Sequence, residues 1–317
     1  MTTENEKQAS GHVSVLLDEC IENLNIKPDG IYLDGTLGMG GHSCEIASRL
    51  TSGRLICIDR DETAIERAGR RLAPFGEKVT LVHGNFSDAA SILDSLGIDG
   101  ADGMLFDLGV SSPQLDEAER GFSYMVQAPL DMRMDRGGAL TAWEVVNTWD
   151  ENRLNRILWD YGEERYARRI TGAILKHREE KPVETTQELV EIIRAAMPAA
   201  ALREKQHPAK RTFQAIRIAV NDELGAIASM METAPDKLNI GGRLCVISFH
   251  SLEDRIVKSG IQAREHGCTC PREAPVCTCG FKQTLRSVSR KPILPTEEEI
   301  ERNPRARSAK LRVAERV

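Results

Sequence analysis

Short apolar segments and amphipathic segments alternate through the first third of the chain. Mainly apolar segments of strand length lie near residues 31–34, 54–59, 79–83 and 102–108. Between them, from about residues 41, 61 and 86, apolar positions recur with the 3.6-residue period of a helix. Strands that alternate with helices are typical of a parallel, doubly wound α/β sheet. The pattern therefore predicts a Rossmann-like fold.

The alternation stops after Pro113, and residues 114–208 are helical in pattern. Two capping boxes, Thr141-x-x-Glu144 and Thr185-x-x-Glu188, precede apolar faces of helical period. We interpret this stretch as an inserted helical domain for substrate recognition. Residues 1–113 and 209–317 would then form one discontinuous sheet domain.

The sheet pattern resumes after a long predicted helix at residues 210–231. A strand is predicted at residues 243–249, and a helix begins at about residue 251. Two extended segments, residues 285–288 and 309–314, are predicted to close the sheet as an antiparallel pair. The complete sheet would have seven strands, most of them parallel.

The composition is that of a globular enzyme: 317 residues, 41% hydrophobic and 28% charged. Residues 1–11 are polar, and no run of about eighteen apolar residues occurs. We therefore expect a cytoplasmic protein without a membrane partner. Four cysteines stand singly in apolar or helical contexts, where reduced thiols pack as small hydrophobes. They are Cys20, Cys44, Cys57 and Cys245.

A glycine-rich turn follows the first strand and opens the next helix, at residues 34–42 (DGTLGMGGH). Glycines let the backbone approach a ligand at a helix N-terminus. Ser43 stands where the dinucleotide fingerprint needs its third glycine, and no Gly-Lys-Ser/Thr follows, so a nicotinamide dinucleotide and a P-loop are disfavoured. The turn resembles the first motif of class I methyltransferases that use S-adenosylmethionine (SAM). Asp59 ends the second strand about twenty residues later, the spacing of a ribose-binding acid.

Basic residues form three local groups although the net charge is −6. The groups are Arg165, Arg168, Arg169 and Lys176; Arg203, Lys205, His207, Lys210, Arg211 and Arg217; and Arg302, Arg305, Arg307, Lys310 and Arg312. The first group shares one face of a predicted helix whose other face is apolar. Any single group fits a solvated helix face, whereas three together favour a polyanionic substrate. Arg133 and Arg136 are further candidates for phosphate contacts.

Motifs along almost the whole chain resemble those of the ribosomal RNA small-subunit methyltransferase H family, also called MraW. The matching segments are residues 12–19 (HVSVLLDE), 34–42 (DGTLGMGGH), 107–116 (DLGVSSPQLD), 121–124 (GFSY), 129–135 (PLDMRMD), 248–255 (SFHSLEDR) and 303–308 (NPRARS). The resemblance implies a class I methyltransferase fold with an inserted helical domain. It also implies methylation by SAM of the exocyclic N4 of a cytidine in the decoding region of 16S rRNA, at position 1402. The small ribosomal subunit would be the partner.

The resemblance also carries cofactor contacts onto individual residues. These are Gly40, Gly41, His42, Asp59, Phe86, Asp107 and Gln114. The glycine turn would hold the methionine end of SAM, and Asp59 and Phe86 would hold ribose and adenine. Without the resemblance, Asp59 could equally be a helix N-cap and Phe86 an ordinary core residue.

Methyl transfer to N4 also needs an acceptor for the hydrogens of a poorly nucleophilic amine. Asp107, at the end of the fourth strand, is our first candidate for this catalytic role. Many amino methyltransferases carry Asp/Asn/Ser-Pro-Pro-aromatic here, whereas this chain has Asp107-Leu-Gly-Val. Asp131 and His250 are therefore further candidates, with turn capping or core packing as their alternative roles.

Four cysteines stand close together in residues 268–280 (CTCPREAPVCTCG), outside the family's catalytic pattern. Cys268, Cys270, Cys277 and Cys279 could bind a structural zinc ion tetrahedrally if the chain turns at both pairs. The alternative is a set of reduced or redox-active thiols.

Two other classes of function share parts of this pattern. A DNA or protein methyltransferase would share the glycine turn, and a non-catalytic ribosome assembly factor would use the basic groups alone.

Overall fold

The computed structural model describes residues 14–270 and 278–317, which form two compact units. The first unit comprises residues up to Gly109 together with Leu224–Val317, and the second comprises Val110–Glu223.

The first unit contains a seven-stranded sheet. Its strands are β1 (Ile31–Asp34), β2 (Arg54–Asp59), β3 (Val79–His83), β4 (Ala101–Asp107), β5 (Leu238–Ser248), β6 (Leu285–Ser287) and β7 (Lys310–Arg316). They lie in the order β3-β2-β1-β4-β5-β7-β6. The first five strands are parallel, whereas β7 pairs antiparallel with both β5 and β6. The predicted Rossmann-like sheet and its closing antiparallel pair are confirmed.

Helices cover both faces of the sheet because successive strand residues point to opposite sides. Leu55 and Cys57 of β2 belong to one hydrophobic cluster, and Ile56 and Ile58 belong to the other. The first cluster includes residues of three helices, α1 (Leu17–Leu24), α2 (Gly41–Arg49) and α3 (Glu62–Leu72). The second includes residues of α4 (Ala89–Ser95), α11 (Glu223–Thr233) and α12 (Ser251–His266). A short helix, α13 (Glu297–Arg302), precedes β7.

The second unit is built from helices around a core of its own. These are α5 (Ser112–Asp116), α6 (Ala142–Thr148), α7 (Glu151–Asp160), α8 (Ala167–Glu180), α9 (Thr186–Ala196) and α10 (Lys210–Asn221). Both predicted capping boxes form, at Thr141 of α6 and at Thr185 of α9.

Two sequence expectations need correction. The helix expected at residues 210–231 is two helices, since Asp222 adopts a left-handed conformation (φ 48°) and ends α10. The second unit also extends beyond the expected boundary at residue 208. Phe213 and Ile216 of α10 are buried in the core of this unit, which attaches the helix to it.

The strand predicted at residues 243–249 begins earlier, at Leu238, and ends at Ser248. Its pairing with β4 shifts between Ala101 and Gly103, and Gly241 has a positive φ of 78°. An irregular, glycine-containing start of this kind leaves no continuous apolar run in the sequence.

Candidate active site

The glycine turn between β1 and α2 is fixed by the carboxylate of Asp34. Its Oδ1 accepts the Thr36 backbone N–H (3.1 Å), and its Oδ2 accepts the Ser43 hydroxyl (2.6 Å). Gly38 and Gly40 have positive φ values of 51° and 73°, which side chains disfavour. The backbone of the turn therefore favours glycine at these two positions before α2.

Asp59 joins the end of β2 to this turn. Its Oδ2 accepts the Gly38 N–H (2.8 Å), and its Oδ1 accepts the Asp61 N–H (2.9 Å). The N-cap of α3 is Asp61, whose side chain accepts the Thr63 N–H, so Asp59 does not cap that helix. Burial raises the pKa of Asp59 to about 6. A carboxylate oxygen can accept more than one hydrogen bond, so Oδ1 and Oδ2 of Asp59 can each still accept one from a ligand hydroxyl.

Phe86 begins a 3-10 turn, Phe86–Asp88, after β3. Its ring meets that of Phe106 edge to face, with centroids 6.0 Å apart. A Cβ on Gly35 would lie 3.2 Å from the Phe86 Cβ. Phe86 is therefore a partly buried aromatic side chain beside the glycine turn.

Asp107 ends β4 next to the same turn. Its backbone N–H donates to the Thr36 hydroxyl (2.6 Å). Its Oδ1 atom is buried and has no hydrogen-bond partner in the part of the chain that the structure describes. Burial, with the nearby carboxylates of Asp34 and Glu253, raises the pKa of Asp107 to about 8. Such a group exchanges protons near neutral pH, which suits acid–base chemistry.

His42 lies in the first turn of α2 and is buried. Its Nε2 lies 3.0 Å from the Val15 carbonyl oxygen. A carbonyl can only accept, so this nitrogen carries the ring hydrogen. Burial lowers the pKa of His42, which keeps the ring neutral. Its Nδ1 lies 3.9 Å from Asp107 Oδ2.

A carboxylate that the sequence argument overlooked, Glu253, is fully buried in the first turn of α12. Its Oε2 accepts the backbone N–H groups of Phe249 (2.7 Å) and His250 (3.2 Å). His250 is the N-cap of α12, so the structure gives it a capping role. The spacing His250-x-x-Glu253 after a strand is the signal that could have indicated this capping box.

Two other predicted residues lie in the second unit. Asp131 receives three side-chain bonds from Arg133, the shortest of 2.7 Å from Nη2. Burial opposes ionisation of Asp131, but the bonds from Arg133 outweigh it and lower the pKa. A stabilised carboxylate is a poor proton acceptor. Gln114 is buried in α5, where its Oε1 accepts the Ser111 N–H (3.0 Å).

The structure describes three of the four clustered cysteines. The sulfur atoms of Cys268, Cys270 and Cys279 lie within 4.8 Å of one another. Cys277 lies outside the described residues.

The first basic group keeps its charges exposed. Arg168, Arg169 and Lys176 of α8 are exposed, while Ile170 and Ile174 of the same helix are buried. Arg165 is also exposed, although it precedes the helix and pairs with Glu204 (3.1 Å).

The other two basic groups are partly neutralised by acidic side chains. Arg217 binds Glu223 through two bonds of 2.8 and 2.9 Å, and both Lys310 and Arg312 pair with Asp254. The α8 face is therefore a stronger candidate for contact with a polyanion than these paired residues.

A sequence profile of the MraW methylase family matches residues 9–317. The chain belongs to this family. Ribosomal RNA small subunit methyltransferase H from Brevibacillus brevis is 57% identical over 307 residues, which is 96% of this chain and 98% of that protein. The protein of the same name from Clostridioides difficile is 54% identical over 307 residues, covering 96% and 99% of the two chains. The family resemblance found in the sequence motifs is confirmed.

The solved structures that match this MraW-family chain resemble it less closely than these relatives do. An rRNA methylase from Streptococcus thermophilus has a TM-score of 0.42 and 12% identity, covering 100% of this chain and 99% of that one. A SAM-dependent O-methyltransferase from Thermotoga maritima has a TM-score of 0.42 and 10% identity, covering 99% and 70%. The class I methyltransferase fold rests instead on the chain's own strand order, with β7 inserted antiparallel between β5 and β6.

Among the residues that the structure describes, none of the helices has the length and apolar character needed to span a bilayer.

Proposed function

We propose that the protein transfers a methyl group from SAM to the N4 amino group of a cytidine in the decoding region of 16S rRNA. The observation that carries this proposal is the end-to-end similarity to proteins named ribosomal RNA small subunit methyltransferase H, at 54% identity or more in the relatives given above. The choice of cytosine N4 and of its position in the rRNA comes from the motif resemblance. The geometry of the site supports the cofactor and the chemistry.

The residues around the glycine turn fit SAM. Gly40 and Gly41 carry no side chain and lead into the first turn of α2 with His42, where a carboxylate is favoured. Asp59 offers two carboxylate oxygens to ribose hydroxyls, and Phe86 offers an apolar surface to adenine. Gln114 is proposed as a further contact on the family resemblance. When bound, SAM supplies an electrophilic methyl group on a positively charged sulfur.

Asp107 is proposed as the proton acceptor. The lone pair of cytosine N4 is delocalised into the ring, so a group that binds its hydrogens makes it a better nucleophile. As the N4–methyl bond forms and the methyl–sulfur bond breaks, N4 loses a proton and the sulfur keeps the bonding electron pair. The buried Oδ1 of Asp107, which has no hydrogen-bond partner among the residues that the structure describes, can accept that proton.

His42 is proposed as a positioning residue for Asp107. It is held by Val15, is neutral, and presents Nδ1 to the Asp107 carboxyl group. A fixed neutral neighbour limits the orientations of the carboxyl group without adding a charge that would lower its pKa.

The exposed basic face of α8 is proposed to bind rRNA phosphates. Phosphate contacts position a nucleic acid, whereas the chemistry requires the target base to leave its stack.

The test is methyl transfer from labelled SAM to three separate substrates: small ribosomal subunits lacking the modification, duplex DNA and total protein. We expect label only in 16S rRNA, and mass mapping of nuclease fragments should place it on N4 of one cytidine. Label in DNA or protein would replace this proposal with another methyltransferase activity. Binding of rRNA without transfer would indicate an assembly factor.

A further inference from the structure

The loop between α12 and β6 carries the cysteine-rich motif, and its two ends are held together. The Arg264 carbonyl accepts the Thr284 N–H (3.1 Å). The Glu265 carboxylate accepts both the N–H (3.1 Å) and the hydroxyl (2.6 Å) of Ser287. The end of α12 and the start of β6 therefore form a fixed base for the loop.

Above this base, Gly267 and Phe281 are in close contact. A Cβ on Gly267 would lie 2.7 Å from the Phe281 ring, so the ring packs directly on the glycine backbone. Cys268 follows Gly267, and Cys279 lies two residues before Phe281. This contact therefore places the two cysteines close together. Their sulfur atoms are 3.6 Å apart. The contacts at the base of the loop and between Gly267 and Phe281 therefore hold the two thiols near each other, and none of these contacts involves a sulfur atom.

The sulfur geometry suits a metal better than a disulfide. A disulfide bond is about 2.05 Å long. In a tetrahedral zinc site with Zn–S bonds of about 2.3 Å, neighbouring sulfurs lie about 3.8 Å apart. The separation of Cys268 and Cys279 is close to the second value, and the sulfur of Cys270 lies within 4.8 Å of both.

Cys270 also receives a backbone hydrogen bond. The Thr278 N–H donates to its sulfur at 3.3 Å. Hydrogen bonds of this kind orient a metal ligand from outside the coordination sphere.

From these contacts we propose that Cys268, Cys270 and Cys279 are thiolate ligands of one structural zinc ion that closes the loop between α12 and β6. Three soft thiolates select zinc, copper(I) or iron–sulfur clusters over hard cations. Zinc is the redox-inactive member of this set, and it leaves one tetrahedral position for a further ligand. Metal ligation can order a short loop whose residues are too few to bury a core.

Elemental analysis of full-length protein, purified without chelator from zinc-supplemented cells, tests the proposal. We expect one zinc per chain, and loss of the zinc in both Cys268→Ser and Cys279→Ser variants. Cys44→Ser, a partly buried cysteine elsewhere in the first unit, should keep it. Cobalt(II) exchanged into the wild-type protein should give a thiolate-to-cobalt charge-transfer band that both ligand variants lack.

SAM binding provides a check that the ligand variants are folded, since we expect their affinity to match the wild type. If a ligand variant fails to fold, the cobalt spectrum and zinc content of the wild-type protein still decide the question. Wild-type protein without zinc and without the cobalt band would overturn the proposal. So would iron in place of zinc, a Cys268–Cys279 disulfide in non-reducing peptide maps, or zinc retained in both variants.

Discussion

His42 Nδ1 and Asp107 Oδ2 face each other at 3.9 Å, with no hydrogen on the histidine nitrogen. The Val15 carbonyl holds the ring hydrogen on Nε2, so Nδ1 presents a lone pair to the carboxyl group. A lone pair does not stabilise a carboxylate, and burial further disfavours the charge. This is consistent with a pKa of about 8 for Asp107. A positive charge at the site would reverse the balance.

The first prediction follows from this relationship. In the ligand-free protein at pH 7, Asp107 is mostly protonated because its pKa is raised above 7. The sulfonium of SAM favours the ionised form, so SAM affinity should increase as pH rises and level off above about pH 8. The increase can reach about tenfold per pH unit. Calorimetry between pH 6.5 and 9 measures it, and binding near pH 7 should release a proton.

S-adenosylhomocysteine is the matched control because it lacks the sulfonium charge. Its affinity should stay nearly constant over the same range in the wild type. Asp107→Asn keeps the shape but cannot ionise, so its affinity for SAM should not rise with pH. Equal pH dependence for the two ligands would assign the titration to a group other than Asp107.

The second prediction concerns catalysis by the same residue. Asp107→Asn should reduce the methyl-transfer rate at saturating SAM more than it reduces RNA binding, because the amide cannot accept the N4 proton. A tenfold loss of rate corresponds to about 1.4 kcal/mol. Single-turnover kinetics on small subunits measure the rate separately from product release. A wild-type rate in the variant would mean that another residue accepts the proton.

The third prediction concerns Asp59, which accepts the N–H groups of Gly38 and Asp61. Asp59→Ala should weaken SAM binding by about 1 to 3 kcal/mol, because ribose hydroxyls and the Gly38 N–H would lose their acceptor. Calorimetry gives the affinity, and circular dichroism gives the control for folding. Asp61→Ala is the matched variant: it removes the N-cap of α3 and should lower stability while affecting SAM less. Equal loss of SAM affinity in both variants would reduce Asp59 to a structural role.

The sheet could be predicted from the sequence because β1, β2 and β4 are short, mainly apolar segments whose residues pack in both hydrophobic clusters. Tyr32 and Leu33 illustrate this, since they lie on opposite faces of β1. The glycine turn could be predicted because its backbone shape requires glycines. Contacts between segments that are far apart in the sequence could not be predicted. The bond from Asp107 to Thr36 and the proximity of Glu253 depend on the order and register of the strands, which leave no local signal.

The helix break at Asp222 is another feature that the apolar pattern does not contain. Neighbouring Asn221 is buried, accepts the Met134 N–H (2.8 Å) and donates to the Met132 carbonyl (2.7 Å). These long-range bonds hold the end of α10, while the sequence on both sides favours helix. The local sequence favours one continuous helix, whereas the tertiary contacts hold its middle in place. The left-handed conformation of Asp222 therefore divides it into α10 and α11.

The fourth prediction tests this interpretation of Asp222 (φ 48°, ψ 43°). Asp222→Ala should destabilise the protein by about 1 kcal/mol, since alanine cannot adopt this conformation without strain. Asp222→Gly should be close to neutral. Urea unfolding measures both. Glu179→Ala, at an exposed right-handed position in α8, is the control and should change stability by less than about 0.5 kcal/mol. Destabilisation of the glycine variant by as much as the alanine variant would point to a role of the Asp222 side chain instead.

The last prediction assigns rRNA phosphates to the basic face of α8. Arg168, Arg169 and Lys176 are exposed, and the opposite face of their helix is buried, so charge reversal should leave the fold intact. Arg169→Glu/Lys176→Glu should weaken rRNA binding and reduce the slope of log affinity against log salt by about one per lost contact. SAM affinity should not change. Arg290→Glu, an exposed arginine of the first unit, is the matched control and should leave the slope unaltered. A slope that falls equally with Arg290→Glu would show a general effect of net charge, and an unchanged slope in the double variant would make the α8 face an ordinary solvated surface.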